Sequence, residues 1–272
     1  MAEDRRGIRP SKRRRTAAAK PLKWYRDLAT NKGRLEARAF LIEGDRAVRQ
    51  VAGSHPGHIL EIVTARELPA IYDSFPIRVV SEEHLRSISQ MKTPQGPIAA
   101  VRWPSYLHSS RLPDPVGDRI LLLEDIQDPG NVGTLIRTAS AFDYSGAILT
   151  DKCADPLSPK CVQSTAGTVL SIWLRRTTRY LGLLQDLKAR GYSLVAADLE
   201  GDEDESIFAG HQKLVVALGN EAAGLSHRLL TEADYRFRIP VAPEKAESLN
   251  VAACGAICMY LGSRAARTSD PA

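Results

Sequence analysis

The chain has 272 residues, of which 43% are hydrophobic and 25% are charged, with a formal net charge of +5. This length predicts one large domain or two small ones, and the composition excludes wholesale disorder and repeat architectures. No run of about 18 uncharged apolar residues occurs, so the sequence predicts no membrane span. Residues 1–20 have no apolar core, which excludes a secretory signal there.

The positive charge is concentrated at the N-terminus. Residues 1–23 carry nine basic and two acidic residues, whereas residues 105–272 carry seventeen basic and twenty-one acidic residues. The run Lys12-Arg13-Arg14-Arg15 predicts a disordered tail that attracts polyanions, although a solvated tail without a specific partner explains the pattern equally well. The tail by itself indicates nucleic acid and nothing more specific.

The first half of the chain alternates short strands with helices. Helices are predicted at 24–43, 45–52 and 82–90, and strands at 40–44, 58–65, 77–81 and 96–103. This alternation predicts a small α/β domain over residues 24–103. Residues 104–118 contain three prolines and little apolar periodicity, which predicts a linker.

Strand signals become stronger from residue 119 onward. The segment ILLLED (120–125) is a near-continuous apolar run, typical of a strand that is buried on both faces of a parallel sheet. Strands are predicted at 120–125, 146–150, 170–174, 192–198, 213–219 and 235–240, and helices at 132–142, 158–167, 178–191 and 248–264. They predict a second α/β domain over residues 119–267 with a mainly parallel sheet. Its last helix is apolar nearly all round, which indicates either a dimer interface or a helix that the core covers completely.

Three segments follow predicted strands at their carboxyl ends, where open α/β sheets place their ligands. In DPGNVGTLIRTA (128–139), Asn131 is a candidate N-cap, and Gly133 lies one turn before Arg137, which leaves room for a ligand to reach the guanidinium. The segment VVALGNEAAGLS (215–226) is a loop whose amides can bind a ligand, and it matches neither a P-loop nor a standard dinucleotide site. In RIPVAPEKAESLNVAA (238–253), Ser248-Leu249-Asn250 opens the last helix.

Each segment taken alone also has a purely structural interpretation. Arg137 fits a surface arginine and Gly133 a packing residue. Glu221 fits a residue at the start of a helix, and Ser248 fits a simple N-cap.

In this order, the patterns N-x-G-x-x-x-R (131–137), L-G-N-E-x-x-G (218–224) and I-P-x…S-L-N-V-A (239–252) resemble the SpoU-type RNA ribose 2′-O-methyltransferases of the SPOUT superfamily. The resemblance covers about residues 119–264. Residues 24–103 resemble, more weakly, the small substrate-binding domain of that family, which is similar to certain ribosomal proteins.

The resemblance implies a C-terminal trefoil-knotted SPOUT domain that binds S-adenosylmethionine (AdoMet). It also implies a homodimer whose active sites lie at the subunit interface. By motif match, the cofactor-binding residues would be Leu218, Gly219, Asn220, Ile239 and Leu249. The polar catalytic centre would be formed by Asn131, Arg137, Glu221, Ser248 and Asn250.

Arg137 is expected to bind the phosphate next to the target ribose and to stabilise charge on the 2′-oxygen. A guanidinium stays protonated in proteins, so a phosphate oxygen or water is an easier proton acceptor than Arg137 itself. Asn131 and Asn250 would orient Arg137 and the substrate, and Ser248 would line the cofactor loop. Because residues 105–272 carry net negative charge, RNA affinity is expected to come from the tail and the small domain.

The expected substrate is structured RNA, with ribosomal RNA of the 23S type favoured and a looped or single-stranded target ribose. Transfer RNA and a modification that confers antibiotic resistance are alternatives. A non-catalytic RNA-binding protein of the same fold is the alternative from another class, and the intact polar set argues against it.

Metal chemistry and disulfides are not expected. The six histidines are scattered and the acidic residues form no ligand cluster, which disfavours a metal-dependent nuclease. The four cysteines, Cys153, Cys161, Cys254 and Cys258, lack zinc-ligand spacing and are typical of reduced, structural cysteines in a cytoplasmic protein.

Overall fold

The structure is a computed structural model that describes residues 20–91, 94, 96–242, 244–245 and 247–267, with side chains described up to residue 264. Residues 1–19 of the predicted basic tail lie outside the described residues. Within the part of the chain that the structure describes, no helix is long and apolar enough to cross a bilayer.

The N-terminal part is built on a four-stranded sheet in the order β1-β4-β2-β3. Its elements are α1 (Leu22–Asp27), α2 (Asn31–Ala37), β1 (Ala39–Glu43), α3 (Asp45–Ser54), β2 (Ile59–Thr64), β3 (Ile77–Val79), α4 (Glu82–Ile88) and β4 (Ile98–Arg102). Strand β4 is antiparallel to β1 and β2, while β3 is parallel to β2. The single helix predicted over 24–43 is wrong: two short helices form, because Thr30 caps α2 by accepting a hydrogen bond from the amide of Gly33.

The C-terminal part is a parallel six-stranded sheet in the order β10-β8-β9-β5-β6-β7. Its elements are β5 (Arg119–Leu123), α5 (Pro129–Ala141), β6 (Gly146–Leu149), α6 (Pro159–Thr165), β7 (Trp173–Arg176), α7 (Tyr180–Ala189), β8 (Ser193–Asp202), β9 (Leu214–Leu218), α8 (His227–Glu232), β10 (Tyr235–Phe237) and α9 (Val251–Arg267). Residues Ile120 to Leu123 in β5 are fully buried and alternate between two separate apolar clusters. The predicted parallel sheet with a doubly buried central strand is therefore confirmed.

Several element boundaries differ from the sequence prediction. The strand predicted at 170–174 lies at Trp173–Arg176, and α8 was not predicted at all. Helix α9 begins at Val251 rather than at Ser248, since the Asn250 side chain accepts a hydrogen bond from the amide of Ala252 at 2.9 Å. Ser248 is therefore not the N-cap of this helix.

Residues 104–118, predicted as a linker, pack along the edge strand β7. The indole nitrogen of Trp173 donates to the carbonyl of Val116 at 2.8 Å, and the amide of Arg176 donates to the carbonyl of Leu107 at 2.7 Å. The buried guanidinium of Arg175 donates to the carbonyl of Arg111 and lies over the ring of Tyr106. The segment thus covers an edge strand that would otherwise be open to pairing.

A buried ion pair joins the two parts of the chain. The guanidinium of Arg34 in α2 lies 2.6 Å from the carboxylate of Asp155, which also accepts from the amide group of Asn31. The other terminal nitrogen of Arg34 donates to the carbonyls of Leu28 and Ala29. These contacts fix α2 beside the turn that follows β6, at the carboxyl edge of the parallel sheet.

Candidate active site

A cavity of about 490 Å³ opens at the carboxyl ends of β9 and β10, beside the middle of β8. Its lining comes from four stretches of chain: residues 197–199 of β8, the ends of β9 and β10 with the residues that follow them, and the residues around the start of α9. The lining residues are Ala197, Asp198, Leu199, Leu218, Gly219, Asn220, Glu221, Ala222, Gly224, Phe237, Ile239, Val241, Glu247, Ser248, Leu249, Asn250, Val251 and Cys254. Of the ten residues that the sequence assigns to a site, only Asn131 and Arg137 do not line this cavity.

The loop after β9 forms one wall through its backbone. Asn220 and Gly224 exchange two backbone hydrogen bonds, of 3.0 and 2.9 Å, and the Asn220 side chain accepts from the amides of Ala222 and Ala223. A Cβ atom at position 219 would lie 2.2 Å from the carbonyl carbon of Gly224. Glycine is therefore required at 219 for the two backbone segments to approach this closely.

Replacing Gly219 with alanine is expected to displace this loop and to raise the Kd for AdoMet at least about tenfold, as measured by calorimetry. The matched control is Gly182→Ala in α7, where an added Cβ would meet no atom within 4 Å. That variant should bind AdoMet like the wild type and be slightly more stable, because alanine favours helix. Equal affinities for all three proteins would contradict the role of the Gly219–Gly224 contact.

A hydrogen-bonded chain connects the three segments singled out in the sequence. Asn250 donates to the Asn131 side-chain oxygen at 3.2 Å, and Asn131 donates to a carboxylate oxygen of Glu221 at 2.9 Å. Glu221 also accepts from the amides of Gln127 and Asp128. Partial desolvation opposes ionisation of Glu221, but these hydrogen bonds outweigh it and hold its pKa below the usual value. The carboxylate of Glu221 is thus kept ionised at the centre of the site.

Asn131 is free to join this chain because another residue caps α5. The Asp128 carboxylate accepts hydrogen bonds from the amides of Gly130 and Asn131, so Asp128 and not Asn131 is the N-cap. Lys160 forms an ion pair with Asp128 at 2.7 Å and is the main cause of the lowered pKa of Asp128. The sequence-based assignment of Asn131 as N-cap is wrong.

Gly133 does not open a path for a ligand. A Cβ atom there would lie 2.3 Å from the carbonyl oxygen of Cys161 and 2.6 Å from the side chain of Ser164. Gly133 therefore allows α5 and α6 to pack closely. Of the two interpretations of Gly133 that the sequence allows, the packing residue is the correct one.

Arg137 lies outside the cavity, on an exposed face of α5, and its side chain makes no hydrogen bond or ion pair with the described residues. The neighbouring helix α9 exposes Ile257 (37%) and Tyr260 (45%). Phe142, at the end of α5, contacts the ring of Tyr260. Helix α9 is therefore not completely covered within one chain, and one chain alone does not bring Arg137 to the cavity.

Sequence reasoning missed the part of the site that β8 supplies beyond its pairing with β9, which ends at Ala196. Ala197, Asp198 and Leu199 line the cavity, and Leu199 is 62% exposed at its rim. The carboxylate of Asp198 accepts a hydrogen bond from Arg236. The predicted strand ended at Asp198, so the rule that ligands bind at the carboxyl ends of strands could have identified this segment.

Comparisons with known proteins identify the family. The model of the SpoU rRNA methylase family matches residues 118–260, and that of the MRM3-like substrate binding domain matches residues 20–99. This chain belongs to the SpoU rRNA methylase family. It is 31% identical, over 90% of its length and 96% of the relative, to the 23S rRNA (guanosine(2553)-2′-O)-methyltransferase RlmP of Bacillus subtilis.

Solved structures of two methyltransferases superpose on nearly the whole chain. The SpoU methyltransferase AviRb from Streptomyces viridochromogenes, in complex with AdoMet, gives a TM-score of 0.77 at 26% identity, covering 92% of this chain and 98% of that one. An AdoMet-bound rRNA methyltransferase from Sinorhizobium meliloti gives 0.75 at 29% identity, covering 92% and 96%. The structural similarity therefore extends over both the N-terminal and the C-terminal part of the chain.

Proposed function

We propose that this protein transfers a methyl group from AdoMet to a ribose 2′-oxygen of ribosomal RNA of the 23S type. The observation that carries this proposal is the hydrogen-bonded chain Asn250–Asn131–Glu221 at the rim of the cavity, where three separate segments meet. Membership of the SpoU family supplies the reaction class and the cofactor. Both the Bacillus relative and the Streptomyces 23S rRNA (uridine(2479)-2′-O)-methyltransferase, 28% identical over 96% of this chain, are named for this reaction.

The cavity fits AdoMet in size and in chemistry. Its volume of about 490 Å³ lies within the usual range of small-molecule sites. Leu218, Ile239 and Leu249 offer an apolar lining for an adenine ring, and the 219–224 loop offers backbone polar groups beside the polar side chains of Asn220 and Glu221. When bound, AdoMet supplies an electrophilic methyl group.

The polar centre orients the groups around that methyl. Glu221 fixes the amide of Asn131 by accepting from its nitrogen, which leaves the Asn131 oxygen to accept from Asn250. Ser248 lines the cavity, and its hydroxyl has no hydrogen-bond partner among the described residues, so it is available to substrate or cofactor. Positioning of this kind supplies a large share of the barrier reduction in transfers between two bound groups.

We further propose that the protein is a homodimer in which Arg137 reaches the cavity of the other subunit. Three features support this: the exposed apolar side chains of Ile257 and Tyr260 on α9, the exposed Arg137 on the neighbouring helix α5, and the absence of any hydrogen-bond or ion-pair partner for its guanidinium among the described residues. Aromatic residues and arginine are the types enriched at subunit interfaces. Arg137 would bind a phosphate of the RNA and stabilise charge on the 2′-oxygen.

The remaining architecture is proposed from the family resemblance. Residues 24–103 would form the RNA substrate-binding domain, 104–118 the connection, and 119–267 the trefoil-knotted catalytic domain. The basic tail would occupy residues 1–23. Because its substrate is ribosomal RNA, the protein would act in the cytoplasm. Within the described residues, no group of three or more His, Cys, Asp or Glu side chains is arranged to hold a metal.

Mapping of 2′-O-methylated positions in total RNA tests the substrate. Cells with and without the protein are compared by protection of the phosphodiester bond from alkaline cleavage. We expect one position in 23S-type ribosomal RNA to lose protection when the protein is absent, and wild type but not Asn131→Ala should restore it. A position lost in transfer RNA instead would establish the alternative substrate, and no lost position would refute the proposed reaction.

A further inference from the structure

The two ends of the carboxyl edge of the parallel sheet carry opposite charge. One end is formed by the turns after β6 and β7 and by the start of α6, and the other by the last residues of β8 and those that follow it. We call them the cationic edge (Lys152, Lys160, Arg176 and Arg179) and the acidic edge (residues 198–205). The cavity adjoins the acidic edge, since Asp198 and Leu199 line it, and the Asn131–Glu221–Asn250 chain lies between the cavity and the cationic edge.

The cationic edge is held together by contacts within the C-terminal part of the chain. The guanidinium of Arg176 donates to the carbonyls of Asp151 and Cys153, so it covers the turn that carries Lys152. The ammonium groups of Lys152 and Lys160 pair with carboxylates after β5 and remain largely exposed, with side chains 71% and 60% accessible. Arg179 is exposed, and its side chain makes no hydrogen bond or ion pair with the described residues.

The acidic edge has a strong excess of carboxylates. Six of the eight residues from 198 to 205 are Asp or Glu. Two arginines compensate three of them, Arg236 by pairing with Asp198 and Glu200 and Arg238 by pairing with Glu203. Part of the net negative charge of the C-terminal part is therefore concentrated at the acidic edge, so the net charge of the whole domain is a poor guide to the charge at the cationic edge.

Resting on the proposed RNA substrate, we infer that the RNA strand leaves the cavity across the cationic edge, toward α2 of the substrate-binding part, and avoids the acidic edge. Arg179 and Lys152 bind its phosphates. The strand must reach the methyl group at this side of the sheet. Phosphates are repelled from 198–205 and attracted to the exposed guanidinium of Arg179 and to the exposed ammonium of Lys152, which also pairs with Asp125. The ion pair Arg34–Asp155 places α2 next to the same turn, so the path continues onto the N-terminal part. This inference adds a contribution from the C-terminal part to the RNA affinity expected of the tail and the small domain.

Helix α7 offers a matched pair of variants for the test. Arg179 precedes the helix at the carboxyl edge of the sheet, and Arg190 follows it at the opposite edge. Both are exposed, and neither side chain has a hydrogen-bond or ion-pair partner within the described part of the chain. Arg179→Gln and Arg190→Gln therefore remove the same charge from two ends of one helix.

The experiment is filter binding of an unmodified 23S ribosomal RNA transcript over a range of salt concentrations. Arg179→Gln should reduce the slope of log K against log salt by about 0.7 to 0.9, the value for one lost phosphate contact. Adding Lys152→Gln should roughly double that reduction, while Arg190→Gln should leave the slope unchanged. AdoMet affinity, measured by calorimetry, should be the same in all variants and so report an intact fold.

Equal slopes for the Arg179 and Arg190 variants would overturn the proposed path. Failure of the proposed function gives a different result: the wild type would transfer no methyl group from AdoMet to any ribosomal RNA, whatever the slopes. A slope difference together with methyl transfer by the wild type supports both.

Discussion

Replacing Arg137 with alanine is expected to lower kcat for methyl transfer by about 10²- to 10³-fold and to leave the Kd for AdoMet nearly unchanged. The factor is typical of losing one donor that stabilises charge in the transition state. AdoMet affinity should persist because Arg137 is proposed to contact the RNA phosphate and the 2′-oxygen and not the cofactor. Single-turnover transfer from labelled AdoMet measures the first quantity and calorimetry the second. Arg137→Lys should restore only part of the rate, because lysine keeps the charge but loses the planar fork of donors.

Mixed dimers decide which subunit supplies this arginine. When Arg137→Ala and Asn131→Ala proteins are unfolded together and refolded in equal amounts, about half of the dimers contain one copy of each. If Arg137 acts in the cavity of the other subunit, each mixed dimer has one intact site, and about a quarter of wild-type activity returns. If Arg137 acts within its own chain, every site carries one defect and no activity returns. The second result would remove the shared site from the proposal.

The parallel sheet could be predicted because its cause is local in the sequence. Ile120 to Leu123 form an unbroken apolar run. A strand that is buried on both faces of a sheet needs apolar side chains at successive positions, so this run indicates such a strand. The meeting of the loops around Gly219, Ile239 and Leu249 could be predicted for the same reason, since carboxyl ends of parallel strands share one edge. The motif match then named the residues on those loops.

The errors concern choices that depend on contacts distant in sequence. Asn131 fits the N-cap of α5 by residue type, but Asp128 takes that position, where Lys160 from the next helix pairs with it. Gly133 suggested space for a ligand, whereas Cys161 of α6 lies where its Cβ would be. The position of Arg137 relative to the cavity depends on how α5 faces α9, and periodicity within α5 carries no information on that.

Introducing arginine at Ile257 is expected to convert the protein to a monomer and to abolish methyl transfer. Ile257 is 37% exposed next to Tyr260, on the face that we assign to the dimer interface. Around a twofold axis the substitution places two unpaired charges in one apolar interface, and an uncompensated buried charge typically costs about 3–5 kcal/mol. The cavity would then lack the partner's Arg137, so activity falls even though each chain still folds. Sedimentation measures the oligomeric state, and circular dichroism the fold.

Ile71→Arg is the matched control, because Ile71 is a similarly exposed isoleucine (54%) in the N-terminal part, away from this face. It should remain dimeric and active, since an arginine that stays in water costs little. A dimeric Ile257→Arg protein would show that α9 does not form the interface. A monomeric but fully active one would show that each cavity is complete within a single chain, and that Arg137 then acts only after α5 has moved or does not act at all.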